Sequence, residues 1–117
     1  MLVTKEDIQQ FLKDFKTKLS VFKIVYRDDR DKNIQALAEL EITGTERTEL
    51  IKSLKAENYC AGPTKNELYK NHPDYWEFGL EIKNKEVYIK IEMGLPNSSV
   101  ICISFHVAEH GLKYPFK

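Results

Sequence analysis

The chain has 117 residues, enough for one domain around one core, and 42% of them are apolar and 31% charged. Eighteen Lys and Arg residues balance eighteen Asp and Glu residues, so the formal net charge is zero. This composition excludes a disordered or fibrous chain. It also gives no global electrostatic drive toward nucleic acid or an anionic membrane.

The opening stretch MLVTKEDIQQ has no long apolar core and no small-residue cleavage site, so no signal peptide is expected. No apolar run approaches the ~20 residues that cross a bilayer. Cys60 and Cys102 stand apart, with no CxxC pair. They are expected to be reduced thiols of a cytoplasmic protein. No four ligands cluster at a spacing that would hold zinc.

Thr4 is a helix N-cap with Asp7 three residues on, and Ile8, Phe11, Leu12, Phe15 and Leu19 follow at helical spacing. This predicts a helix from about Lys5 to Lys18. The β-branched and aromatic run 21-VFKIVY-26 reads as a short strand, and 27-RDDRDK-32 as a solvated charged turn. Ile34, Leu37 and Ala38 predict a second helix from about Asp31 to Leu40. The stretch 43-TGTE-46 fits a capping box, and Leu50, Ile51 and Leu54 give a third helix its apolar side. Gly62, Pro63, Asn66, Asn71 and Pro73 make 59–73 mostly loop, with one short strand near Asn58.

The last third reads as a sheet. Strand 75-YWEFGLEI-82 turns through 83-KNKE-86 into 87-VYIKIEM-93, and the loop 94-GLPNS-98 leads to 99-SVICISFH-106. Short connections imply antiparallel hairpins. Helices first and a meander second predict an α+β fold, with the helices packed on one face of a small antiparallel sheet.

Alternate residues of a strand face opposite ways. Trp76, Phe78, Leu80 and Ile82, then Val87, Ile89 and Ile91, then Ile101, Ile103 and Phe105 are the expected core-facing sets. The other face collects Glu77, Gly79 and Glu81, then Tyr88, Lys90 and Glu92, then Cys102, Ser104 and His106. Opposed residues on paired strands lie about 5 Å apart and diagonal ones within ~8 Å. A solvated polar face would need only Glu and Lys. Tyr88 and His106 are not what solubility requires, and Gly79 inside a strand leaves room for a ligand or another backbone.

Those residue types suit RNA cleavage through the ribose 2′-hydroxyl. Glu77 or His106 can be the general base, and His106 can instead be the acid that protonates the leaving 5′-oxygen. Lys90 can balance charge on the phosphate, and Tyr88 can donate to a phosphate oxygen or stack on a base. Ser104 joins them as a donor on the same face. No metal is required. The same set also lines many sugar and peptide sites.

The stretches 76-WEF-78, 87-VYIKI-91 and 101-ICISFH-106, with 36-ALAELEIT-43 and 46-ERTELIKSLKAENY-59 upstream, resemble the motility quorum-sensing regulator (MqsR) group of bacterial toxins. That group belongs to the RelE-like class of toxin–antitoxin ribonucleases, and the likeness runs from Ile34 to His106. The resemblance implies a RelE-like fold and a cytoplasmic endoribonuclease that cuts mRNA without cofactor or metal, free or on the ribosome. It also implies a cognate antitoxin, expected to be a helix-turn-helix DNA-binding protein. The family's catalytic tyrosine falls on Tyr88. A basic residue, lysine in the archetype, falls on His106, and a glutamine falls on Glu77. A family lysine falls at or beside Cys60, which cannot replace it. Neutral net charge departs from the basic character of such toxins.

Of the rest, His72 reads as a surface histidine and Trp76 as core. Lys83 and Lys85, at a turn tip, can reach phosphates or simply face solvent. Cys102 reads as a space-filling thiol on the open face. Glu109 and His110 read as the start of a tail outside the site. Tyr114, Pro115 and Phe116 are apolar for a free tail and are expected to dock, and Lys113, Tyr114 and Lys117 can touch RNA. The competing reading is a non-catalytic protein- or nucleotide-binding module, in which the polar face only docks a partner.

Overall fold

The computed structural model describes residues 2–117. Its elements run α1 (Lys5–Phe22), β1 (Ile24–Tyr26), α2 (Asp31–Leu40), α3 (Gly44–Lys52), a 3₁₀ turn at Ala56–Asn58, β2 (Tyr59–Thr64), β3 (Tyr75–Ile82), β4 (Lys85–Glu92) and β5 (Val100–Val107). The α+β order is as expected: three helices, then most of a five-stranded sheet. The sheet order is β1-β5-β4-β3-β2. It is mixed rather than wholly antiparallel, because β1 joins β5 in parallel while the other pairs run antiparallel.

At the start of α1, the Asp7 amide donates to Thr4 Oγ1 and the Thr4 amide to Asp7 Oδ2, so two end donors are satisfied reciprocally. Ile8, Phe11, Leu12, Phe15 and Leu19 are buried, as their spacing requires. Each contributes roughly 1.5–3 kcal/mol on the way from water to core. The helix runs four residues further than its apolar periodicity. Val21 and Phe22 form its last turn, and Lys23 at φ 69° ends it, with its amide on the Leu19 carbonyl at 2.8 Å. Local strand propensity at Val21 and Phe22 yields to continuation of the helix, and β1 shrinks to three residues.

Helix α1 lies on the core face of the sheet, where Phe11 stacks on Trp76 at 4.4 Å. Helix α3 has the expected capping box at Thr43 and Glu46. It buries Arg47, which forms a two-point ion pair with Asp28 at 3.0 Å and sits 3.5 Å over the Tyr26 ring. This pins the 27–30 turn against α3.

The pairing of β4 with β5 contains one correction to the expected faces. Tyr88 opposes His106, Ile89 opposes Phe105 and Lys90 opposes Ser104, but Ile91 opposes Cys102 and Glu92 opposes Ile101. Ile103 is therefore the extra residue of a β-bulge, and the alternation reverses across it. Cys102 is fully buried in the core beside Val100, not on the open face, and burial pushes its thiol up to about 12. Ile101 and Ile103 stay buried, as expected, but lie outside the main core cluster. Ser104 and His106, beyond the bulge, keep the open face.

The bulge is held by α2. Asn33 donates to the Ile103 and Arg27 carbonyls, both at 2.8 Å, and accepts from the Phe105 amide at 3.0 Å. It satisfies the edge of β5 where β1, paired only with Val100–Cys102, has ended.

Candidate functional site

The open face is covered at both ends and bare in the middle. At one end, 65–74 folds over Glu92, which is fully buried. Its carboxylate accepts from Asn66 Nδ2 and meets His72 Nδ1, each at 2.6 Å. Glu92 therefore leaves the solvated face, and His72 is not a free surface histidine but the partner of a buried carboxylate. Arg27 lies 4.3 Å over the Tyr69 ring and fixes the same loop from the helix side.

At the other end the C-terminal tail docks, as its apolar residues lead one to expect. The Leu112 amide and the Tyr114 hydroxyl both donate to Glu86, at 3.0 and 2.9 Å. Phe116 packs against Tyr59. The space above Gly79 belongs to this tail rather than to a ligand. A side chain at Gly79 would strike the Tyr114 hydroxyl and come within 2.6 Å of Leu112 Cδ1.

Between the two covers lies a depression of about 300 Å³ lined by Tyr88, Lys90, Ser104 and His106 from the sheet. Arg30 and Lys32 line it from the start of α2, and 108–112 forms the remaining wall. Sequence reasoning left Arg30 in a solvated turn and set Glu109 and His110 outside the site. All three border the depression. Arg30 could not be placed because long-range bonds bring its turn over β5: the Asn33 anchor, the Arg47–Asp28 pair, and the Arg27 amide and Arg30 guanidinium on the Cys102 and Ile103 carbonyls. Glu109 pairs with Lys32 at 2.8 Å across the mouth.

Tyr88 donates to Glu77 Oε1 at 2.5 Å. Burial first, then the Glu77 bond and charge, hold its phenol well above the ordinary tyrosine range, so it stays protonated. The Tyr88 ring lies 5.5 Å from the His106 ring. His106 Nδ1 donates to the Val107 carbonyl at 3.0 Å, which leaves Nε2 for chemistry. Lys90 opposes Glu77 on β3 and Ser104 on β5, and its ammonium lies 4.6 Å from the Tyr75 ring centre. Burial lowers the Lys90 pKa, Glu77 opposes that shift and Arg30 adds to it. Three cations face one depression, Arg30, Lys32 and Lys90, of which Lys32 is paired with Glu109. Glu77 sits one strand behind Tyr88 and does not line it.

Lys83 and Lys85 do not join this site. Lys83 donates to the Glu41 carbonyl at 2.8 Å and Lys85 to the Glu39 carbonyl at 3.5 Å, so both serve the C-terminal end of α2. Cys60 lies on β2 near Glu77, and burial pushes its thiol up to about 12, so it supplies no charge where the resembled family has lysine. No helix of the described residues is long and apolar enough to cross a membrane. No family model matches this chain, and no curated protein and no solved structure matches it.

Proposed function

We propose that the chain is a metal-independent endoribonuclease of the MqsR-like, RelE-like toxin class, cutting single-stranded mRNA and held in check by a cognate antitoxin. The observation that carries this reading is one depression bordered by a Glu77-bound tyrosine, a histidine with a free ring nitrogen and, beside the Glu109-paired Lys32, the two cations Lys90 and Arg30. Lys90 and Arg30 hold the non-bridging phosphate oxygens. Arginine adds a two-point grip that lysine lacks. The ribose 2′-hydroxyl gives its proton to the Tyr88 oxygen as Tyr88 passes its own to Glu77. A phenol held protonated serves in this relay where a free phenolate base would not. The 2′-oxygen bonds to phosphorus, the bond to the 5′-oxygen breaks, and His106 Nε2 protonates that oxygen. The products are a 2′,3′-cyclic phosphate and a 5′-hydroxyl.

A second reading, a non-catalytic module that binds a protein or nucleotide on the same face, is favoured by zero net charge and by the uncharged Cys60. Expression in bacteria separates the two. The wild type is expected to slow growth and translation, and Tyr88→Phe and His106→Ala are expected to relieve both while keeping the fold. No effect of the wild type, with ligand binding that survives His106→Ala, would establish the binding module instead.

A further inference from the structure

A depression of about 500 Å³ lies away from this site, between α1, the segment after α3 and the C-terminal tail. Its floor is apolar. Leu12 and Ala56 expose narrow apolar strips here above the fully buried Leu54, and Phe116 closes the end. Its rim carries Lys5, Lys13, Lys16 and Lys55 against one carboxylate, Glu57. In a chain whose charges cancel, four ammonium groups to one carboxylate is a local imbalance.

None of the four lysines forms an ion pair among the described residues. Lys16 is half-buried, and its ammonium donates to the Leu54 carbonyl at 2.6 Å. Burial and then the charge of Lys55 push its pKa down, so these cations crowd one another without an anion between them. From Lys5 to Lys16 the rim follows α1 for about 16 Å, at 1.5 Å per residue. That suits an elongated ligand rather than a single small ion.

We propose that this groove docks an acidic, amphipathic protein segment, whose apolar side chains rest on Phe116 and the exposed edge of Leu12 and whose carboxylates meet Lys5, Lys13 and Lys55. Charge complementarity selects an acidic partner, and the apolar floor selects a peptide over a polynucleotide. A nucleic-acid groove tracks the backbone with aromatic stacking platforms, and only Phe116 is aromatic here. Helix-in-groove recognition uses apolar anchors with a charged rim of this kind. The inference stands apart from the ribonuclease reading, since no groove residue borders the other depression.

The test is fluorescence anisotropy of the full chain with a labelled peptide of Leu and Glu at helical spacing, about 14 residues long. The same peptide with Lys for Glu and a single-stranded deoxyoligonucleotide are the comparisons. The acidic peptide is expected to bind, and the lysine version is not. The double variant Lys13→Glu, Lys55→Glu changes only exposed side chains and is expected to weaken binding at least tenfold with an unchanged thermal midpoint. Phe116→Ala, which alters no charge, is expected to weaken it several-fold. Absence of binding would overturn the proposal, as would tighter binding of the oligonucleotide at the same lysines. Affinity indifferent to Phe116→Ala would reduce the groove to a non-specific cationic patch and overturn it equally.

Discussion

At the scale of single residues, the Tyr88–Glu77 bond sets the chemistry that the face can support. A carboxylate that accepts from the phenol stabilises the protonated form, and burial does the same. Tyr88 therefore stays a proton donor, as the proposed relay requires. Lys90 gives a pH signature whose sign follows from its surroundings. Burial lowers its folded pKa below the unfolded value of ~10.4, so over the window between the two the unfolded chain holds a proton that the folded chain has lost. Stability is expected to rise with pH through that window, below the ordinary lysine value. Lys90→Met is expected to flatten the rise. Denaturant titrations at a series of alkaline pH values measure it, and an unchanged slope in the variant would show that Lys90 is not the source. Phosphate affinity should move the opposite way over the same window, because the ammonium charge is lost as pH rises.

At the scale of elements, the bulge in β5 and its Asn33 anchor decide which side chains reach the face. Asn33→Leu removes three hydrogen bonds, strands the Phe105 amide and leaves the Ile103 carbonyl with a 3.5 Å contact to Arg30, an unsatisfied group costing about 1–3 kcal/mol. A loss of roughly 3 kcal/mol is expected in urea unfolding, with Arg30 released from the depression. A change below about 0.5 kcal/mol, the ordinary surface range, would mean that the bulge holds itself. The bulge was not legible in the sequence. Val100 to Ile103 carry no polar residue, so either alternation buries apolar side chains, and the choice rests with Asn33, which is 70 residues away from Ile103 in the chain. The capping boxes at Thr4 and Thr43 were legible because both partners lie within four residues. Helix α2 was legible from Asp31 to Leu40, but its buried face was not: Asn33, Ala36 and Leu40 are buried while Ile34 is exposed. Tyr88, Lys90, Ser104 and His106 were legible as one face because β3, β4 and the end of β5 alternate regularly. Arg30, Lys32 and His110 were not, because long-range docking alone brings them to that face.

At the scale of the whole molecule, two irregular segments cover parts of a broad polar face and leave the depression at Tyr88, Lys90 and His106 between them. The 65–74 loop encloses Glu92, and the tail encloses Gly79 and Glu86. A glycine read as room for a ligand or another backbone is thus the seat of the chain's own tail. Gly79→Val is expected to lift 112–116 from the sheet, seen as faster amide exchange at Leu112 and loss of the Tyr114 hydrogen bond. Protected exchange in the variant would contradict that seating. The lysine groove beside α1 depends on Phe116 of the same tail, so the tail shapes both depressions.

The most direct test of the central claim is incubation of the purified chain with single-stranded RNA in excess EDTA, followed by analysis of the product ends. Cleavage is expected to leave 2′,3′-cyclic phosphate and 5′-hydroxyl termini. Tyr88→Phe and His106→Ala should each slow it by about 10²–10⁴, the range for one acid–base group. Arg30→Ala should slow it through weaker phosphate binding. Intact RNA, 5′-phosphate ends, or cleavage indifferent to Tyr88 and His106 would contradict the account.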